Sequence, residues 1–168
     1  MGSYDVLNIY KQKIKKMFLQ NQDLQKLIYY NVDNPLAQPN LLNPNVLFKG
    51  ERPLVLFKSK NFKTITEQST FLLVRFLTSP DYLPAYDDIS IIITIATHND
   101  LSELYDGRDR IDAICTEIDK YLNGHNYIGV GSVKHEGRKE VTINDDYIGY
   151  NLIYSVSDWG FNYDNQNK

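Results

Sequence analysis

The side chains that could carry out catalysis in this chain are few, and His98 and Asp100 form the first pair to consider. They follow a predicted strand, where catalytic groups often lie, and a hydrolase could use the imidazole as a base. No nucleophile or glycine-rich phosphate loop accompanies them in the sequence. Because these partners are missing, we expect no catalytic residues. An enzyme would need a pocket that joins both side chains to a third polar group.

Residues of metal-binding types are present but lie at unsuitable spacings. His98, His125 and His135 have no short ligand spacing to one another. Cys115 is equally separate from them and falls on the apolar stripe of a predicted helix. Aspartates recur at every third position over residues 106–112, but helix capping and neighbouring arginines explain them better as a solvated face. We therefore expect no metal site.

The sequence also lacks a complete motif for a cofactor or for nucleic acid. Gly129-Val-Gly131 is a fragment of a dinucleotide-binding fingerprint, but it lies in a predicted strand with no helix after it, so we expect no cofactor. Lysines of the first helix could contact phosphates. A nucleic-acid module would need one continuous exposed patch made of Lys11, Lys15 and Lys16 with Lys58, Lys60 and Lys63.

Helices are predicted at the start and in the second half of the chain. Apolar residues recur at helical spacing over residues 3–30, which we interpret as two helices with Asp23 as N-cap of the second. A further helix at about 107–123 has Asp106 as its predicted N-cap. Asn123-Gly124 supplies the left-handed stop that ends it.

Strands are predicted where β-branched and aromatic residues alternate between turn signals. Together with the helices they predict an α+β fold, with a mixed or antiparallel sheet of about four to five strands. The N-terminal helix and the second-half helix pack on this sheet. The predicted strands cover residues 53–57, 70–78, 89–97 and 147–157. Residues 127–135 and 139–143 are predicted to form a hairpin or an extended pair around Glu136-Gly137.

Length and composition favour a single domain over residues 1–168. Prolines and asparagines predict an extended loop with an arm at about 31–69, and the polar tail at about 160–168 should be flexible. A single cysteine cannot form an internal disulfide, which fits a reducing compartment. No apolar run reaches the roughly 20 residues of a membrane helix, so we expect a cytoplasmic product without membrane contact.

Charge is divided unevenly along the chain. Residues 1–78 carry 9 Lys and 2 Arg against 5 acidic residues, or +6, whereas residues 79–168 carry 4 Lys and 3 Arg against 16, or −9. Uneven solvated surface could explain this division. Alternatively, opposite charges lie on different faces of a protomer that associates head to tail.

Candidate interface residues follow from this division and from the 13 tyrosines, which suit half-wet contact surfaces. On the head-to-tail interpretation, lysines of the first helix face acids of the second-half helix on a neighbouring protomer. The candidates are Lys11, Lys15, Lys16, Asp112, Glu117, Asp119, Tyr150 and Tyr154.

The order of elements resembles that of the tail terminator family of tailed bacteriophages. It runs from an N-terminal helix through the strand at 89–97 and the acidic helix at 108–122 to a final strand, 148–157, that ends in Asp158-Trp159. Residues 21–30, followed by Asp33-Asn-Pro-Leu36, are similar to N-terminal segments of small neck and tail-completion proteins.

The resemblance implies a structural virion protein rather than an enzyme. Its protomers would form a ring, hexameric in this family, that terminates the tail tube and joins it to the head connector. Implied partners are further copies of the chain, the tail tube protein and a connector or neck protein. DNA would pass through the ring without sequence-specific binding, after assembly in the host cytoplasm.

Two alternatives remain at this stage. Within the same class, the protein could be a head-completion or connector-layer neck protein. In a different class, it could be a small cytoplasmic hydrolase that uses His98 and Asp100.

Overall fold

The computed structural model describes residues 3–58, 65–80, 86–126, 128–129 and 131–159, which contain three α-helices and one five-stranded sheet. The strand order is β1-β2-β3-β5-β4, in which β1 runs parallel to β2 and the other pairs are antiparallel. The predicted α+β fold with a mixed sheet is confirmed. The helices are α1 (Ser3–Gln20), α2 (Gln22–Tyr29) and α3 (Arg110–Leu122), and the strands are β1 (Val55–Leu56), β2 (Thr70–Pro80), β3 (Tyr86–His98), β4 (Lys134–Asn144) and β5 (Tyr147–Trp159).

The main core lies between the helices and one face of the sheet. Ile89, Ile91, Ile93 and Ile95 of β3 point to this face because side chains alternate along a strand, and each of these four is fully buried. Ile93 pairs with Val74 of β2 and Leu152 of β5, so three strands contribute one apolar layer. The helices pack on this layer through Tyr10, Ile14, Met17, Phe18, Leu24, Leu27, Ile28, Ile111, Ile114, Ile118 and Leu122.

The predicted break between the first two helices is confirmed, but the predicted cap is wrong. Asn21, not Asp23, is the N-cap of α2, and its side-chain oxygen accepts a hydrogen bond from the Leu24 N–H at 3.0 Å. The Asn21 amide also donates to Glu117 of α3 at 3.2 Å. Asn21 is buried at this junction, so tertiary packing selects it over the exposed Asp23.

The cap of α3 also differs from the prediction. Asp109 caps this helix by accepting from the Asp112 N–H at 3.1 Å. Asp106 instead accepts from the Arg108 side chain at 2.7 Å and stabilises the preceding turn. The predicted stop is confirmed, because Gly124 has the positive φ of 78° that glycine adopts without strain.

Arg110 is a fully buried cation that holds α3 against the end of α2. Its guanidinium donates to the carbonyls of Leu27 and Tyr30, both at 2.9 Å, and of Val32. Its Nε donates to the Leu101 carbonyl at 2.7 Å. The positive charge therefore lies at the C-terminal end of α2, where the helix dipole and unpaired carbonyls favour a cation.

The predicted hairpin around Glu136-Gly137 is wrong, because these residues lie inside the single strand β4. His135 pairs with Tyr154 of β5 and Gly137 pairs with the next residue, Ile153, so Glu136 is the extra residue of a bulge. Gly137 has φ 150°, which glycine tolerates. Glycine inside a strand is as typical of a bulge as of a turn.

The predicted loop after α2 contains two short 3-10 helices, Pro35–Ala37 and Pro44–Leu47. Each begins at a proline, because the first helical position needs no N–H donor. Leu47 is fully buried and anchors this segment to the core. Part of the predicted arm (59–64) and the predicted tail (160–168) lie outside the described residues, as do residues 81–85 between β2 and β3. Within the described ranges, no helix has the length and apolar character needed to span a membrane.

Candidate functional site

His98 and Asp100 lie close together, but in a capping arrangement. The His98 Nδ1 atom accepts a hydrogen bond from the Asp100 N–H at 3.2 Å, so this nitrogen has no proton to share with the Asp100 carboxylate, 3.6 Å away. Gln68 donates to that carboxylate at 2.7 Å. In a catalytic triad the acid holds the N–H of the histidine, and the pair here instead begins the short helix Asn99–Leu101.

A groove of about 550 Å³ lies between α3 and β4, and we call it the α3–β4 groove. It brings together side chains from distant parts of the sequence because β4 turns alternate residues toward α3. The lining residues whose side chains are polar, charged or nucleophilic are Asp112, Cys115, Asp119, Lys120, His135, Arg138 and Tyr154.

The acids of this groove are paired with cations and hydroxyls of the same chain. Asp112 forms an ion pair with Arg138, whose guanidinium carbon lies 3.8 Å from the centre of the Tyr150 ring. Asp119 accepts a hydrogen bond from the Tyr154 hydroxyl at 3.1 Å and lies 3.8 Å from His135 Nδ1. These contacts fasten the edge strand β4 to α3.

Tyr154 is fully buried, so the prediction that it contacts a neighbouring protomer is wrong. Its burial raises the pKa of the phenol, and the nearby charge of Asp119 raises it further. The hydroxyl therefore remains a protonated donor and holds Asp119 in place. Tyr150 is partly buried beneath Arg138.

The side chains of this groove include several of the types that bind metal ions, for which the sequence predicted no site. Among the described residues, no three His, Cys, Asp or Glu side chains are grouped so that they could hold a metal ion. Asp119 and His135 form only a pair. Structural zinc and most catalytic zinc sites need at least three protein ligands.

Cys115 lines this groove, and its thiol is a poor nucleophile. Burial raises the pKa of its thiol from 9.0 to about 11, against a smaller opposing effect of Arg138. We predict alkylation by iodoacetamide at about pH 8 to be roughly 100-fold slower in the folded chain than in urea, because two pKa units remove most of the thiolate. Mass spectrometry of timed samples would measure the rates, and equal rates would contradict this environment.

Glu117, the third predicted interface acid, also has partners within the chain. Its carboxylate accepts from Lys120 at 2.5 Å and from Asn21 at 3.2 Å, and its side chain is only 15% exposed. The hydrogen bond to Glu117 raises the pKa of Lys120. All three acids therefore have partners within the protomer. The Glu117–Lys120 pair follows from local helical spacing, whereas the partners of Asp112 and Asp119 lie far away in the sequence.

The predicted lysines of α1 differ from these acids. None of Lys11, Lys15 and Lys16 forms an ion pair with any residue that the structure describes. Lys16 lies near Tyr121 of α3 in a groove of about 280 Å³. Lys11 and Lys15 line a different groove of about 380 Å³ between α1 and the segment that leads into β1. We call it the lysine groove and define it by Lys11, Lys15, Phe48, Lys49, Phe57 and Lys58.

Phe48, Lys49 and Phe57 had no functional signal in the sequence. They enter the lysine groove because the buried Leu47 fixes the preceding 3-10 helix against the core and β1 pairs with β2. The Leu54 N–H donates to the Leu47 carbonyl at 2.9 Å and closes this arrangement. Of the cations in this groove, Lys11, Lys15 and Lys58 belong to the basic patch considered from the sequence, and Lys49 does not.

Comparison with protein-family models matches residues 21–156 to the YomW family. The match extends from α2 into β5 and includes all of the α3–β4 groove, while α1 precedes it. YomW is a protein name from Bacillus phages of the SPBc2 type, which makes the family phage-associated. A search of curated proteins finds no match. Because the matched range covers most of the chain and contains its whole sheet scaffold apart from strand ends, the chain belongs to the YomW family of phage-associated proteins.

Proposed function

We propose that this protein is a non-enzymatic structural component of the virion that forms a ring at the head–tail junction. The ring would terminate the tail tube and join it to the head connector. The phage-associated family supports a place in phage biology. The observation that carries the proposal is the lysine surface of α1, in which Lys16 is exposed and Lys11 and Lys15 are half-buried. Its charges are not neutralised by ion pairs among the described residues.

A ring of identical chains needs a heterologous interface, in which one surface meets a different surface of the next copy. Opposite charges on the two surfaces set their orientation and suppress the wrong one. Lys11, Lys15 and Lys16 supply the positive surface. The acidic residues after position 78 supply the negative charge, since they outnumber the basic ones by 16 to 7.

We predict that changing Lys11, Lys15 and Lys16 together to Glu leaves the protomer folded but weakens its assembly. The substitutions would oppose like charges across each interface of the ring, and each exposed pair contributes only about 0.2–1 kcal/mol. Repeated around a closed ring, these losses shift the population toward smaller species. Native mass spectrometry and light scattering at low and high salt would measure the shift.

The control is the double variant Lys134→Glu/Lys139→Glu, which changes the charge of exposed β4 residues instead. It should retain the wild-type mass. A wild-type chain that stays monomeric at all concentrations, alone and with tail tube protein, would overturn the ring. A wild-type ring unaffected by the triple reversal would show that the α1 lysines do not orient it.

A further inference from the structure

The lysine groove combines concentrated positive charge with an apolar floor. Lys11 and Lys15 project from α1, and Lys49 and Lys58 come from the opposite wall. No acidic side chain of the described chain lines it. Four ammonium groups in about 380 Å³ repel one another, so an occupant that supplies carboxylates or phosphates would be favoured.

The aromatic floor indicates which kind of anion fits. Phe48 stacks on Phe57 with their planes 12° apart, and Phe18 meets Phe48 edge-on. The Lys15 ammonium lies 5.2 Å from the centre of the Phe48 ring. Phe48 is half-buried and already engaged by these three neighbours, whereas a stacking nucleic-acid base needs an open ring face. The floor therefore favours an apolar side chain flanked by carboxylates, which is a protein segment.

The chain itself carries such a segment, residues 103–106, which we call the acidic loop. Tyr105 is 78% exposed, although a tyrosine usually buries much of its ring. Glu103 and Asp106 flank it, and the hydrogen bond from Arg108 holds the pKa of Asp106 below its usual value. Both flanking side chains are exposed.

The acidic loop is held in shape before any partner binds. The Tyr105 N–H donates to the Asp33 carbonyl at 2.8 Å. The Leu104 N–H donates to the Arg108 carbonyl, also at 2.8 Å, and the buried Leu104 side chain anchors the loop to the core. A preorganised loop loses little conformational entropy on docking.

We propose that the acidic loop of one protomer docks into the lysine groove of a second copy, with Tyr105 against the aromatic floor and Glu103 and Asp106 facing the lysines. This inference rests on the proposed self-association. It also replaces the acids of α3 as the negative partner, because all three of those acids have partners in their own chain. Of the two acids of the loop, Asp106 is paired with Arg108, whereas Glu103 forms no ion pair with any residue that the structure describes.

The contact is head to tail, because the loop and the groove are different surfaces of the same protomer. Each copy would use its groove to receive one neighbour and its loop to enter the other. Such an interface can repeat until it closes on itself. The loop therefore provides the specific negative surface that the charge division along the chain only suggested.

Disulfide trapping between full-length chains tests the contact. In a Cys115→Ser background, Gln12→Cys places a thiol on an uncharged, exposed residue of the groove, and Glu103→Cys places one beside Tyr105. Mixing the two variants under mild oxidation should give a cross-linked dimer that neither gives alone. The control, Asp145→Cys in the exposed turn between β4 and β5, should not cross-link to Gln12→Cys.

Adding Tyr105→Ser to the Glu103→Cys chain should lower the cross-linking rate at least about tenfold, as expected for a central aromatic contact. About 1 M salt should also lower it, because the Debye length then falls to about 3 Å. Cross-linking of Gln12→Cys to Asp145→Cys as fast as to Glu103→Cys would overturn the proposal.

The outcomes separate this contact from the ring. An oligomeric wild-type chain without the Gln12–Glu103 cross-link would overturn the loop-in-groove contact and leave the ring proposal standing. The cross-link in a chain that never exceeds a dimer would support the contact and overturn the ring. Tight binding of a single-stranded oligonucleotide that Lys11→Glu/Lys15→Glu abolishes, with no cross-link, would assign the groove to nucleic acid and overturn a protein occupant.

Discussion

Replacing Arg110 with methionine is expected to destabilise the protein by about 3 kcal/mol or more. The substitution removes a buried cation and leaves its carbonyl partners, including those of Leu27, Tyr30 and Leu101, without donors. Each buried polar group left unpaired costs about 1–3 kcal/mol. A loss of this size is a large part of the roughly 5–15 kcal/mol that stabilises a typical domain. Urea denaturation followed by circular dichroism would measure it.

Two variants sharpen the Arg110 experiment. Arg108→Met removes an exposed arginine two residues away, which forms an ion pair with Asp106, and should leave the unfolding midpoint nearly unchanged. Arg110→Lys keeps the charge but lacks the planar fork that reaches several carbonyls at once, so its stability should lie between wild type and Arg110→Met. An Arg110→Met protein as stable as wild type would show that the guanidinium contacts contribute nothing to the fold.

Ile118→Asp is expected to abolish stable folding. Ile118 is fully buried between α3 and the sheet, and a carboxylate at this position would have no partner in the core. Burying an uncompensated charge costs several kcal/mol, and protonation of the carboxyl offsets only part of that cost. We expect the variant to be insoluble or to lose its cooperative unfolding transition, as near-ultraviolet circular dichroism and denaturation would show.

Two comparisons isolate the buried charge at Ile118. Thr116→Asp places the same group on the exposed side of α3 and should fold normally. Ile118→Val removes one methylene and should cost only about 0.5–1.5 kcal/mol. If Ile118→Asp unfolded at the same urea concentration as Thr116→Asp, the buried register of α3 described above would be wrong.

The elements with strong periodicity were predictable from sequence, and the exceptions have tertiary causes. The apolar stripe of α3 and the alternation of β3 identified both elements to within a few residues. The predicted N-cap of α3 was wrong because Asp106 and Asp109 both satisfy the local sequence rule for an N-cap residue. Contacts in the folded chain decide between the two aspartates, since Asp106 binds Arg108 and the neighbouring Arg110 is buried in the core.

The candidate site was predictable only in part, for the same reason. The lysines of α1 lie outside its buried stripe, with Lys16 exposed and Lys11 and Lys15 half-buried, and helical spacing alone predicts this side of the helix. Glu117 of α3 pairs with Lys120 of the same helix, but the partners of Asp112 and Asp119 come from elsewhere in the fold. Arg138 reaches Asp112 from 26 residues away, and Tyr154 reaches Asp119 from 35 residues away. A local pattern carries no information about such distant partners.

The bulged edge strand β4 has a consequence for how copies of this chain can polymerise. Register shifts interrupt its ladder near both ends, and exposed charges such as Lys139 and Glu140 line it. The opposite edge, β1, is only two residues long and nearly inaccessible. On the part of the sheet that the structure describes, a strand from another molecule therefore finds no long regular edge on which to add, which disfavours fibril growth by strand addition. Self-association would therefore use side-chain surfaces, and assembly through such surfaces can stop at a fixed number of copies.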